Sequence, residues 1–281
     1  MVIGSSARPD LPVALVVGSG GLGMVTARRL AQRHRVVLAS LTPKRLEERC
    51  AVLRAEGFDV TGVPCDLTSA SSVQRLADTV QEVGPLKAVA HVAALSPSMG
   101  DWGSILAANL GGSALLERAM LAVAGQGTAA VFVSSLSSRL ISPDPAVLAV
   151  LDDPLATDVI DRLEALVDGD TSTVMAYNLS KVALNRLCER RAQAWGLRGA
   201  RIVSISPGLI ASPMGALEFR NRPMKMELYR KTPLAREGTM VEVADAIEFL
   251  ASDRASFITG TDLLVDGGVA AVLRHEGGER G

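Results

Sequence analysis

Tyr177 and Lys181, four residues apart in the run Y-N-L-S-K, are the side chains of this sequence best spaced to move a proton. On a helix that spacing stacks them one turn apart on a single face, so an ammonium sits near a phenol. A free tyrosine titrates near pH ~10, and a shift of about three units to reach neutral pH requires about 4 kcal/mol of differential stabilisation. The lysine charge and a second cation nearby would supply it by favouring the phenolate. A phenol tuned in this way donates to, or accepts from, an alcohol or carbonyl oxygen.

Other residues carry compatible chemistry. Gly18, Gly20 and Gly23 in G-S-G-G-L-G form a G-x-G-x-x-G pattern, which lets a backbone turn tightly and brings the amide-rich start of a helix against a pyrophosphate. Where a carboxylate would hold an adenine ribose diol, the chain has Ser40-Leu41-Thr42 followed by Lys44 and Arg45, a set of hydroxyls and cations suited to a 2′-phosphate. NADP is therefore expected ahead of NAD, although Lys44 and Arg45 are also what any exposed helix carries. Asp66 is placed to accept an adenine amino hydrogen or, equally, to cap the helix that follows it. Ser134 and Ser135 offer hydroxyls to a substrate oxygen, and no G-x-S-x-G surrounds them to make either a hydrolase nucleophile. Asn109 lies in N-L-G-G, where Asn and two glycines weaken a helix and mark a functional or close-packed turn able to hold water or a lysine partner. His91 falls within a strand and reads as structural.

These residues need a scaffold, and the apolar pattern supplies one. Short unbroken runs at Val13 to Val17, Val36 to Ala39, Val60 to Cys65, Ala88 to Ala93, Ala129 to Ser134 and Ala200 to Ser206 read as strands. Between them lie helical stretches at Gly23 to Arg33, Pro43 to Ala55, Ser69 to Val83, Trp102 to Ala124 and Val174 to Trp195. Such alternation predicts an α/β fold with a parallel sheet covered on both faces and ligands at the strand carboxyl ends. A helix over Val241 to Leu250, a last strand over Asp262 to Val265 and a frayed tail from Arg274 complete the expectation. No linker divides the chain, so residues 1–281 are expected to form one domain with two irregular segments. One is an acidic insertion at about 139–173, expected to be either a solvated flap or a border of the substrate cleft or a subunit contact. The other, about 209–238, is a candidate lid whose Met214, Leu217, Phe219, Met224 and Met226 suit an apolar pocket and whose Arg220, Arg222 and Lys225 could steer an acidic substrate.

Composition narrows the function. The net charge of −1 and the 3% aromatic content argue against a nucleic-acid surface. Cys50, Cys65 and Cys188 have no metal-ligand spacing, so no metal is expected. The sequence has neither a signal-peptide core nor a membrane-spanning run, and a cytoplasmic protein is expected.

Taken together, the motifs resemble the short-chain dehydrogenase/reductase family: G-S-G-G-L-G at 18–23, C-D-L-T at 65–68, H-V-A-A at 91–94, N-L-G-G at 109–112, V-S-S at 133–135, Y-N-L-S-K at 177–181, S-P-G at 206–208 and V-D-G-G at 265–268. The resemblance implies a Rossmann-like, doubly wound, seven-stranded parallel sheet and a homodimer or homotetramer. It implies Tyr177 as general acid/base, Lys181 on the nicotinamide ribose, Ser135 on the substrate oxygen and Asn109 in support of a water relay to Lys181. It implies a nicotinamide cofactor, NADP or NAD, held by Gly18, Gly20, Gly21, Leu22, Gly23, Ser40, Thr42, Asp66, Leu67, Ala93, Tyr177, Lys181, Pro207, Gly208 and Ser212. The glycine turn is one residue shorter than the family's usual pattern, and H-V-A-A replaces N-N-A-G. The long gap from Ser135 to Tyr177, A-x-x-W-G at 192–196 and the ending D-G-G-V-A-A-V-L-R resemble bacterial 3α-hydroxysteroid dehydrogenase/carbonyl reductases. That subgroup implies exchange between a ketone and a secondary alcohol, with a steroid or another hydrophobic carbonyl compound as substrate. The rival expectations are a silent nucleotide-binding sensor or scaffold, and an epimerase or dehydratase with no net redox change.

Overall fold

The computed structural model describes residues 10–212 and 223–278. The alternating pattern folds as β1 (Val13–Val17), α1 (Gly21–Leu30), β2 (Arg35–Ser40), α2 (Pro43–Ala55), β3 (Val60–Pro64), α3 (Ala70–Val83) and β4 (Leu86–His91). A helical rod then runs as α4 (Trp102–Leu106), a π-helical turn (Ala107–Gly111) and α5 (Gly112–Val123), followed by β5 (Ala129–Val133) and a 3₁₀ turn (Leu136–Arg139). The remainder is α6 (Pro145–Leu151), α7 (Val159–Leu166), α8 (Thr173–Gly196), β6 (Arg201–Pro207), β7 (Ile210–Ala211), α9 (Pro223–Lys231), β8 (Gly238–Thr239), α10 (Met240–Ala251), β9 (Asp262–Val265) and α11 (Val269–Gly278).

Seven strands pair in the order β3-β2-β1-β4-β5-β6-β9, and every pairing is parallel. This is the Rossmann-like α/β sheet that the alternation predicts. Strand residues point alternately to the two faces. Val13, Leu15 and Val17 join the core under α3, α5 and α8, while Ala14 and Val16 join the one under α1, α2 and α10. Chain order reverses between β1 and β4, opening a crevice at their carboxyl ends.

The acidic insertion is more than a solvated flap. Its helices α6 and α7 bury Val147, Val150, Leu151, Val159 and Leu163 against Trp102, Ile105 and Leu106 of α4 and Leu179 and Ala183 of α8. Pro145 starts α6 where its missing N–H is harmless, and the Asp144 side chain accepts from the Ala146 amide. Asp152 closes the segment onto α8 through Arg186 at 2.6 Å and Arg190 at 3.1 Å.

Three further expectations are corrected. The segment about 209–238 is partly regular: β7 and β8 pair parallel at Ile210–Gly238 and Ala211–Thr239, and α9 lies between them. The named positions Met214, Leu217, Phe219, Arg220 and Arg222, and the side chain of Met224, lie outside the described residues. The tail from Arg274, expected to fray, continues α11 as far as Gly278, and residues 279–281 lie outside the described residues. Asp66 does not cap α3; that role belongs to Ser69, whose hydroxyl accepts from the Ser72 amide. Asp66 is drawn instead into a tight turn, its Oδ1 taking both the amide (2.9 Å) and the hydroxyl (2.7 Å) of Thr68. Among the described residues no helix is long and apolar enough to cross a membrane.

Candidate active site

The glycine turn connects β1 to α1 at the chain-order reversal. Gly18 has φ +113°, and a Cβ there would lie 2.9 Å from the Ala93 amide nitrogen, so both conformation and space require glycine. A Cβ on Gly23 would overlap the Gly18 carbonyl oxygen, which locks the first turn of α1 against the strand end. Gly20 caps α1 without any side-chain hydrogen bond and faces open space, so the helix amides meet whatever occupies the crevice. Unsatisfied amides and a helix N-terminus are the donor set of a diphosphate, so the shorter turn still fits one. Gly21 lies under the Met240 thioether, and Leu22 packs into the core beneath α1.

Around this turn, Ser40 ends β2 half-buried and its Oγ accepts from Ser19 Oγ at 2.8 Å. Thr42 is the N-cap of α2, yet its side chain makes no capping bond, and Lys44 and Arg45 are exposed beside it. Hydroxyls and cations thus stand together at one strand end. Ser19, buried to 3% exposure, was not singled out from the sequence because only the fold brings it to Ser40. The Ala93 amide is committed to Val17 O at 2.8 Å. Leu67 lies against Gly112, where a Cβ would approach it to 2.9 Å.

On the other side of the crevice, α8 brings Tyr177 and Lys181 to the end of β5. Lys181 is 3% exposed; its Nζ donates to Val133 O at 3.0 Å and lies 5.4 Å from the centre of the Tyr177 ring. Burial pushes its pKa down to about 8, so the ammonium is held at a cost and can exchange a proton close to neutral pH. Ser134 Oγ donates to Lys181 O at 3.1 Å, which makes Ser134 a tie between β5 and α8. Ser135 begins the 3₁₀ turn, and its Oγ accepts from the Ser137 amide at 3.1 Å. With that lone pair occupied, the hydroxyl proton is aimed elsewhere, as a donor to a substrate oxygen would be.

Asn109 lies at the centre of the π-helical turn, where the Gly112 amide reaches back to Ala107 O. Its side chain is fully engaged: Oδ1 accepts from Leu95 N at 2.8 Å, and Nδ2 donates to Leu95 O at 2.9 Å and Ser180 Oγ at 3.4 Å. Both amide protons are therefore spent, and Asn109 has no side-chain donor left to offer a relay water. Ser180, also missed in the sequence, donates to Tyr177 O at 2.7 Å and so links Asn109 to the helix of the phenol.

His91 is structural in surroundings, as expected, but unusual. It is 1% exposed, with Nε2 2.9 Å from Ser113 Oγ and its ring edge-on to Phe132. Nδ1 has no partner among the described residues. Burial, with the Lys181 charge, lowers its pKa to about 3, so the ring is neutral.

Pro207 and Gly208 follow from β6 into the same crevice; the Gly208 amide donates to Val265 O at 3.0 Å, and a Cβ there would lie 2.7 Å from Asp266 Cα. Ser212 follows directly after β7. The three cysteines are free and buried, and the described residues contain no His/Cys/Asp/Glu group able to hold a metal.

Comparison with known proteins agrees with this geometry. The short chain dehydrogenase family model matches residues 12–147, and a second, described as enoyl-(acyl carrier protein) reductase, matches residues 165–270. The short-chain dehydrogenase/reductase bsc3 of Alternaria brassicicola is 33% identical over 266 residues, covering 93% of this chain and 97% of its own. D-threitol dehydrogenase of Mycolicibacterium smegmatis is 30% identical over 271 residues, covering 93% and 94%. Among solved structures, the 3-alpha-hydroxysteroid dehydrogenase of Pseudomonas sp. B-0831, complexed with NADH, superposes with TM-score 0.74 at 27% identity, over 94% of this chain and 99% of that one.

Proposed function

Because the chain belongs to the short-chain dehydrogenase/reductase family of oxidoreductases, we propose that it interconverts a ketone and a secondary alcohol, with Tyr177 exchanging the proton of the reacting oxygen. The observation that carries this reading is the buried Lys181, held 5.4 Å from the Tyr177 ring centre with its pKa lowered to about 8. A lysine kept out of water at that cost has a use, since an apolar side chain would pack there without it. The nicotinamide, when bound, supplies or takes up the hydride.

This chain's residues do the rest. Ser135 donates its hydroxyl proton to the substrate oxygen and fixes its position. Tyr177 delivers a proton to that oxygen in reduction and removes it in oxidation, while the Lys181 charge lowers the phenol pKa. A water held at the Asn109 turn would link Lys181 to solvent and resupply the proton. The glycine turn and α1 hold the diphosphate, and Pro207, Gly208 and Ser212 border the nicotinamide. Asp66, Leu67 and Ala93 border the adenine. The uncapped Thr42, with Ser19, Ser40, Lys44 and Arg45, suits a 2′-phosphate, and NADP is the preferred cofactor. The relatives named for D-threitol and for a 3-alpha-hydroxysteroid support an alcohol or its ketone as substrate class; a hydrophobic ketone or steroid is the substrate we favour.

Following NADPH and NADH oxidation across a panel of ketones tests the reading. One ketone at least is turned over, and Tyr177→Phe lowers its turnover about 100-fold or more. Wild-type turnover in Tyr177→Phe, or cofactor binding with no turnover on any ketone or alcohol, would refute it.

A further inference from the structure

Asn185 continues the face of α8 that carries Tyr177 and Lys181, being four residues beyond the lysine. It is 7% exposed. Its Nδ2 donates to Ser138 Oγ at 3.0 Å, and Ser138 Oγ in turn donates to Ser135 O at 2.8 Å. The single Ser138 proton is spent on that carbonyl, so Ser138 must accept from Asn185, and this fixes which way the amide points. Asn185 Oδ1 then remains buried without a partner among the described residues. An unsatisfied buried oxygen lowers stability, and a leucine would avoid it. The amide is kept despite this cost, and the one bond it makes is to Ser138.

The turn that Ser138 occupies is the one that presents Ser135. It is pinned elsewhere as well. Leu136 is buried against Leu228, Val269 and Ala270, and Arg139 donates to Asp262 at 2.6 Å. Asp262 has a side chain only 2% exposed and also accepts from Ser204 and Ser206. Neither of those contacts touches α8. Among the described residues the Asn185–Ser138 hydrogen bond ties the back of the Ser135 turn to the helix of Tyr177, while Lys181 Nζ and Ser134 Oγ join its front to the same helix.

We infer that Asn185 and Ser138 are positioning residues which set the distance between the Ser135 hydroxyl and the Tyr177 phenol. The inference rests on the proposed role of Ser135. The test is a double-mutant cycle read in turnover on an established ketone, with cofactor affinity and thermal midpoint measured alongside. Ser138→Ala and Asn185→Leu each lower kcat about tenfold with cofactor affinity unchanged, Ser138→Thr keeps the hydroxyl and restores turnover, and neither loss adds to that of Ser135→Ala. A merely structural role would instead give losses that multiply with Ser135→Ala and follow the thermal midpoint. If Ser135→Ala is damaged while Ser138→Ala and Asn185→Leu turn over normally, this inference fails alone. If Ser135→Ala retains full turnover, the role proposed for Ser135 falls with it. Should Asn185→Leu not fold, Ser138→Ala, which loses one oxygen and creates almost no cavity, decides the matter by itself.

Discussion

Replacing Lys181 by Met should remove activity and stabilise the cofactor-free protein at neutral pH. The native lysine releases its proton at about 8 where an exposed one does so at 10.5, so at pH 7 the fold carries a charge that it disfavours by about 3 kcal/mol. Met has similar length and no charge; it loses the bond to Val133 O, a cost of about 1 kcal/mol, leaving Lys181→Met ahead by about 2 kcal/mol. Between pH 8 and 10.5 the unfolded chain binds more protons than the native one, so wild-type stability rises with pH. The advantage of the variant accordingly shrinks by about 2 kcal/mol between pH 7 and pH 9.5. Every other group titrates in both proteins and cancels, and a shared Tyr177→Phe background removes the phenol from the window. Urea unfolding of the pair at half-unit pH steps measures the difference. A difference that stays constant over the window, or a Met variant less stable at pH 7, would show that the lysine is not held against its charge and would remove the main support for its role.

His91 makes the opposite prediction at acid pH. Its folded pKa of about 3 lies below the ordinary 6.5, so the contribution is intact above pH 6.5 and is lost as pH falls towards 3. By pH 5 the wild type should have lost about 2 kcal/mol relative to His91→Asn; parallel unfolding curves for the two at pH 7 and pH 5 would contradict the neutral buried ring. Gly23→Ala places a methyl into the Gly18 carbonyl, and its affinity for NADPH, followed by fluorescence titration, should fall at least about tenfold while the far-ultraviolet dichroism is kept; unchanged affinity would mean that the turn does not hold the diphosphate. Ser40→Asp, with Ser19 as ready donor at 2.8 Å, should move the ratio of kcat/KM for NADPH over NADH by about tenfold or more towards NADH, and no change would separate Ser40 from the adenine ribose.

How far the sequence discloses this arrangement depends on whether a residue's partner is local. Helix α2 and strands β1 and β9 begin and end where proline, glycine and apolar periodicity place them. The weak N-L-G-G stretch is visible as a local cost, and it is the site of the π turn. Helix α6 carries its own start signal in Asp144-Pro145, but the surrounding acidic residues mask its short apolar face. The two-residue strands β7 and β8 are too brief to show any period. Ser19, Ser180 and Asn185 are legible only in the fold. The partners that define their roles, Ser40, Asn109 and Ser138, lie 21, 71 and 47 residues away.

The physical consequence is that α8 is anchored by polar contacts on several of its sides. Glu117 of α5, 3% exposed, accepts from Arg191 at 2.9 Å and from Trp195 Nε1 at 2.8 Å at its carboxyl-terminal end. Asp152 of the insertion takes Arg186 and Arg190 on a second side. Near the amino-terminal end, Ser180, Lys181 and Asn185 bond the π turn, the β5 carbonyl and the 3₁₀ turn. Apolar packing tolerates small sliding of a helix, because dispersion is not directional. Hydrogen bonds weaken steeply with angle and fix the axial position and rotation of the rod instead. For a reaction in which a proton and a hydride must reach adjacent atoms, axial precision matters more than the stability that an apolar interface would add. Under the proposed mechanism, loss of the Asp152 clamp would free one side of the helix that carries both Tyr177 and Lys181.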